Sequence, residues 1–145
     1  MKTVKEVMTP HAKYISPETS LLVAATLMRD LDVGSLPICE DNQIIGIVTD
    51  RDLAIRGLAD GRDPESTPVS TIMSKEIACV FSDQDAEEAA RLMEVKQVRR
   101  LPVINQEKQI VGIVSLGDLA VMAGIQLSGE ALQMIAGPTY AGPID

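Results

Sequence analysis

Two stretches of the chain carry the same helical stripe. Leu21, Ala24, Ala25, Met28 and Leu31 fall at the spacing of one face of an amphipathic helix, and Ala86, Ala89, Ala90 and Met93 repeat that spacing. Each stripe is followed by a pair of short apolar runs. Residues 36–39 and 44–48 are separated by the turn formers Asp41 and Asn42 and read as a hairpin, and residues 101–104 and 110–114 read as a second one. A further helix is expected to open near Thr49 or Asp50, to run to about Ala59 and to end at Gly61; its counterpart opens near Ser115 and stops around Gly124. With a strand ahead of each striped helix, the order in each half is strand, helix, strand, strand, helix.

The halves are copies. Gly46-Ile47-Val48-Thr49-Asp50-Arg51-Asp52-Leu53 returns as Gly112-Ile113-Val114-Ser115-Leu116-Gly117-Asp118-Leu119. Val7-Met8-Thr9 matches Ile72-Met73-Ser74, Met28 matches Met93, and Leu36-Pro37-Ile38 matches Leu101-Pro102-Val103, all at an offset of 65 residues. Past the proline the offset becomes 66, which puts one inserted residue in the turn Asn105-Gln106-Glu107-Lys108, where surface loops accept insertions. Residues 61–68 are rich in turn formers and serve as the linker. The chain therefore divides into repeat 1 with its linker (1–64), repeat 2 (65–124) and a tail (125–145), partly helical over about 128–136. A three-stranded half with helices on one side leaves a sheet face bare. The expected α/β (α+β) architecture packs the two repeats sheet to sheet about a pseudo-twofold axis, with two equivalent crevices.

Composition narrows the function. The 145 residues suffice for one sizeable core, built from Ile, Val, Leu, Met and Ala, because the chain has no Trp, one Phe and two Tyr. That shortage of aromatics and a net charge of −8 both argue against a nucleic-acid partner. No apolar stretch reaches the roughly 18 residues of a membrane span, so the cytoplasm is the expected location, with no membrane partner. Cys39 and Cys79 sit in apolar, strand-like contexts without CxxC spacing and read as reduced thiols. His11, the one histidine, lies in a loop with no ligand partner at metal spacing, and Met28, Met73 and Met93 occupy core-like positions. No nucleophile elbow, phosphate-binding Gly-rich loop or metal cluster appears, so the chain reads as a non-enzyme with no catalytic cofactor.

The Gly-hydrophobic-x-Thr/Ser-x-x-Asp ending, the Leu-Pro-Ile/Val strand before it and the opening Val-Met-Thr-Pro, repeated in order, resemble a tandem pair of CBS domains, the Bateman module. The resemblance covers residues 1 to about 124 and is nearest to small stand-alone bacterial CBS-pair proteins. It implies a regulatory module that senses adenine nucleotides (AMP, ADP or ATP) or adenosyl compounds such as S-adenosylmethionine in crevices between the repeats. It also implies a homodimer and an unidentified regulated protein as partners. Carried onto this sequence, Thr49 with Asp52 and Ser115 with Asp118 hold ribose and phosphate, while the first-strand segments, at Ile15 and Ser16 and at Val80 and Phe81, read the base through their backbone.

Residue chemistry leaves two readings of Thr49-x-x-Asp52 open. A carboxylate can accept from both ribose hydroxyls and a hydroxyl can donate to phosphate, but the same spacing forms a capping box at a helix start. The repeats also differ: Asp50-Arg51 stands where the second has Leu116-Gly117, and Gly34-Ser35 where it has Arg99-Arg100. Arg51, Arg99 and Arg100 are the candidate phosphate donors, against solvated arginines or surface pairs with acids such as Glu94 and Asp50. Unequal affinities at the two sites follow. The competing class is a non-catalytic structural or interaction module that keeps the fold and leaves its crevices empty.

Overall fold

The opening residues of the chain fold with the second repeat, not with the first. A computed structural model describes residues 2–122. It divides into a continuous unit, Lys13–Ile77, and a split unit, in which residues 2–12 join residues 78–122. The sequence repeats, counted 1–64 and 65–124, and the packing units therefore divide the chain at different places. The tail at 125–145, its expected helix near 128–136 and the stop at Gly124 lie outside the described residues.

In the split unit, α1 (Val4–Val7) and β1 (Thr9–Pro10) pack beside β4 (Val80–Phe81), α4 (Ala86–Lys96), β5 (Arg100–Ile104), β6 (Ile110–Ser115) and α5 (Leu116–Met122). The sheet order is β1-β6-β5-β4: β1 and β5 are antiparallel to β6, and β4 is parallel to β5. The continuous unit repeats this order in reduced form. Its hairpin, β2 (Ser35–Glu40) with β3 (Gln43–Thr49), is flanked by single bridges, Ile47 to Ser74 on one side and Ile15 to Ile38 on the other. The strand-helix-strand-strand-helix order thus holds in both copies, although the first strand of the continuous unit shrinks to the Ile15 bridge.

Local chemistry accounts for the elements. In the two-residue turn of β2–β3, Asp41 and Asn42 both take positive φ, which matches the right-handed twist of the strands. In the longer turn of β5–β6, Asn105 Oδ1 accepts from the N–H groups of Glu107 and Gln109, and Lys108 supplies the positive φ. The inserted residue is absorbed there. Helix α2 (Leu21–Leu31) starts on Ser20, whose Oγ accepts from Val23 N–H, and α2 and α4 both stop on left-handed residues, Asp32 and Gln97. In both, the residue that follows closes the end, Val33 N–H donating to Met28 O and Val98 N–H to Met93 O.

Each unit has its own core. Ala86, Ala89, Ala90 and Met93 are all buried, against Val4, Leu101, Val103, Val114 and Leu119. In α2 only Leu21, Ala24 and Met28 are buried; Ala25 and Leu31 are exposed, which corrects the wider stripe read from spacing. The helix after β3 also departs from the expected form. A three-residue α-turn, α3 (Asp50–Asp52), passes into a π-helix, Leu53–Leu58, in which buried Gly57 lies so close to Leu21 that a Cβ there would stand 3.0 Å from Leu21 Cδ1. Gly61 follows at φ 73, a terminator as expected.

The exchanged segments settle on the hairpins through a methionine. A Cβ at Gly46 would meet Met73 Sδ at 2.5 Å and Ser74 O at 3.1 Å; one at Gly112 would meet Met8 Sδ at 2.6 Å and Thr9 O at 2.7 Å. Gly112→Ala is therefore expected to cost about 1–3 kcal/mol in urea unfolding, and Gly46→Ala less, because a flexible thioether yields more readily than a backbone oxygen. Both cysteines are free, Cys39 buried in β2 and Cys79 half-buried. Burial pushes the Cys39 thiol up to about 11 from an ordinary value of 9.0. A native pKa above the unfolded one leaves stability intact below pH 9 and removes it as pH rises toward 11. Chemical denaturation across that window should show a larger loss in the wild type than in Cys39→Ala, because burial raises the Cys79 thiol as well and its share remains.

Candidate functional site

Each hairpin ends where a strand turns straight into a helix, and the first backbone N–H groups of that helix need acceptors. Thr49 ends β3 in extended conformation; its Oγ1 accepts from Asp52 N–H at 3.0 Å, and Asp52 Oδ2 accepts from Thr49 N–H at 2.9 Å. The split unit reproduces this. Ser115 Oγ accepts from Asp118 N–H at 3.0 Å and Asp118 Oδ2 from Ser115 N–H at 2.9 Å. The capping reading is thus observed in both copies, and it engages Oδ2 of each aspartate and leaves Oδ1 outside the box. All four residues are half-buried.

The residues before the proline close against the same point. Asp50 N–H donates to Gly34 O and Leu116 N–H to Arg99 O, both at 2.9 Å. In the ladders Ser35 is paired with Thr49 and Arg100 with Ser115. The fold therefore brings Arg99 and Arg100 to Ser115 and Asp118 within the split unit. Arg51 follows Thr49 in the continuous unit, where its N–H donates to Asp50 Oδ1 at 2.8 Å. The three arginine side chains are exposed and form no ion pair among the described residues, so of the two alternatives to phosphate contact the structure has the solvated arginines and not the surface pairs with Glu94 and Asp50.

The first-strand residues lie elsewhere on each sheet. Ile15 is buried, and its backbone is engaged by Pro37 O and Cys39 N–H at 3.0 and 2.9 Å. Ser16 Oγ lies 3.2 Å from Thr19 Oγ1. Val80 is buried in β4, and Phe81 N–H donates to Gln84 Oε1 at 2.8 Å. Within its own unit this set stands two strands over and three ladder positions along from the capped turn, so neither unit alone brings base and ribose candidates together. Spacing did not reveal a largely apolar groove of about 370 Å³ between α2 and the π-helix, lined by Leu22, Ala25 and Leu58 among others, with Asp50 and Arg62 as its charged residues. The signal available for it was the surplus of apolar residues, Leu22 and Leu58, outside the helical stripe. Among the described residues no group of three or more His, Cys, Asp or Glu is placed to hold a metal, and no helix is long and apolar enough to cross a membrane.

Comparison with known proteins agrees with this duplication. The CBS-domain family model matches residues 4–57 and again 69–122. A CBS domain-containing protein of Bacillus subtilis, YhcV, is 43% identical over 131 residues, covering 90% of each chain. Among solved structures, the Hypoxic Response Protein I with two coordinated zinc ions has a TM-score of 0.77 at 36% identity, covering 83% of this chain and 98% of that one. CBSX2 in complex with AMP has a TM-score of 0.73 at 29% identity, covering 88% and 98%.

Because the two boxes close helix starts, Thr49→Ala and Ser115→Ala should each lower unfolding free energy by about 0.5–2 kcal/mol, measured by urea titration. A loss well below this range at both positions would show that the boxes contribute little to stability.

Proposed function

Because this chain belongs to the CBS-domain family and carries two copies in tandem, we propose that it is a regulatory module that binds an adenine nucleotide or adenosyl compound at its two capped turns. The observation that carries the reading is the pair of matched boxes, each presenting a hydroxyl and a carboxylate with Oδ1 outside the box, with one or two nearby arginines that have no ion pair among the described residues. The AMP held by the CBSX2 relative supports the adenine class. Asp52 and Asp118 accept ribose hydroxyls through Oδ1, Thr49 and Ser115 meet phosphate, and Arg51, Arg99 and Arg100 neutralise it. Ile15, Ser16, Val80 and Phe81 remain the proposed base-side residues. No catalytic step belongs to this reading. Ligand binding acts by favouring one arrangement of the chain, which a second copy or a regulated protein reads.

Thermal unfolding with AMP, ADP, ATP and S-adenosylmethionine tests the proposal. A ligand at about 100 times its Kd should add roughly 2.7 kcal/mol of stability. Asp52→Ala and Asp118→Ala should each weaken one binding event about tenfold or more by calorimetry. No shift with any of these compounds would favour the interaction module, for which exposed Leu22, Ile55 and Leu58 provide the surface. A light-scattering mass of two chains is the expected oligomeric state.

A further inference from the structure

The two capped turns differ in the charge set around them, and this difference, which rests on the reading just proposed, specifies the ligand class of each. Direct partners in an antiparallel ladder project from one face with Cβ atoms about 5 Å apart. The neighbour of the Ser115 hydroxyl is the guanidinium-bearing Arg100, whereas the neighbour of the Thr49 hydroxyl is Ser35. One residue back, Arg99 stands where the continuous unit has Gly34. The space over Gly34 is taken by an acid: a Cβ on Gly34 would lie 3.2 Å from Asp50 Oδ2. The residue at that place in the split unit is Leu116, uncharged and buried. By pairing and sequence, then, Arg100 and its neighbour Arg99 accompany Ser115 and the single acid Asp118, whereas two acids, Asp50 and Asp52, and the single Arg51 accompany Thr49. None of these arginines has an ion-pair partner among the described residues to cancel its charge.

We propose that the two sites sort ligands by phosphate charge. The split-unit site takes nucleoside di- or triphosphates in preference to monophosphates, since two guanidinium groups can each clamp a phosphate bidentately. The continuous-unit site takes ligands with one phosphate or none, including neutral and cationic adenosyl compounds, because Asp50 repels an extended phosphate chain. Residues 35 and 100 determine the preference, and Asp50 reinforces it.

The test is calorimetric titration of AMP and ATP, in magnesium-free buffer of low ionic strength, into Asp52→Ala, which isolates the split-unit site, and Asp118→Ala, which isolates the other. The first protein is expected to bind ATP about tenfold or more tighter than AMP, and the second to bind AMP at least as tightly as ATP. Adding Arg100→Ser to the first should abolish its ATP preference. Adding Ser35→Arg, or the isosteric Asp50→Asn, to the second should raise ATP affinity more than AMP affinity and so shift its ATP-to-AMP ratio toward that of the split-unit site. The same ATP-to-AMP ratio at both sites, or the reverse order, overturns the sorting and leaves the proposed function standing. A wild-type chain that binds neither nucleotide nor S-adenosylmethionine defeats the proposed function, and the sorting with it.

Discussion

Each hairpin depends on a strand supplied from far away in the chain. A two-stranded hairpin is marginal in water, and β2–β3 and β5–β6 become stable by gaining a neighbour on each side. On one side the neighbour comes from the same repeat, at Ile15 and at β4. On the other it is the opening segment of the opposite repeat, Ser74 against Ile47 and β1 against β6. Neither repeat closes its own sheet. Buried Val4 and Val7 complete the core beneath β6 and α4, and Val69 and Ile72 do the same in the continuous unit, so both the core and the sheet require the exchange. The glycines at 46 and 112 follow from it, because the methionine of the incoming segment occupies the space a side chain would need.

A fixed hairpin end makes the functional chemistry possible. With β3 and β6 held on both edges, the residue that ends each strand and the acid three positions later are held in one geometry, repeated to 0.1 Å in its hydrogen bonds. The box has a structural task, which is to satisfy helix-start N–H groups. That task occupies only one oxygen of each carboxylate and turns the side chain into a rigid acceptor. Capping and binding are therefore compatible. A carboxylate already ordered by its backbone partner loses less conformational freedom when a ligand arrives. Charge differences between the copies fall at positions around the box and leave it intact: Ser35 against Arg100, Gly34 against Arg99, Asp50 against Leu116, and Arg51 against Gly117.

Much of this was legible in the residues. The stripe of α4, both hairpins, the left-handed turn at Asp41 and Asn42, and the stop at Gly61 come from local rules that need no distant partner. The Thr49–Asp52 and Ser115–Asp118 pairs were legible as candidates, but spacing alone could not separate cap from ligand contact. Ala25 and Leu31 misled the reading of α2, because helical period says which residues share a face and not how wide a face the neighbours cover. The π-helix at Leu53–Leu58 was hidden for a similar reason: the apolar pattern suits a helix of either pitch, and the close approach of Gly57 to Leu21 exists only after packing.

The sequence by itself determined the duplication, the order of elements in each copy, the residues at each capped turn and the charge difference between them, since all of these are local or are comparisons of one stretch with another. Tertiary structure decided which repeat receives each opening segment, that Arg100 pairs with Ser115, and that Ile15 and Val80 stand two strands over and three ladder positions from the boxes. These depend on strand pairing between residues dozens of positions apart. Such pairing is selected by the total apolar surface it buries, and no single segment carries that information.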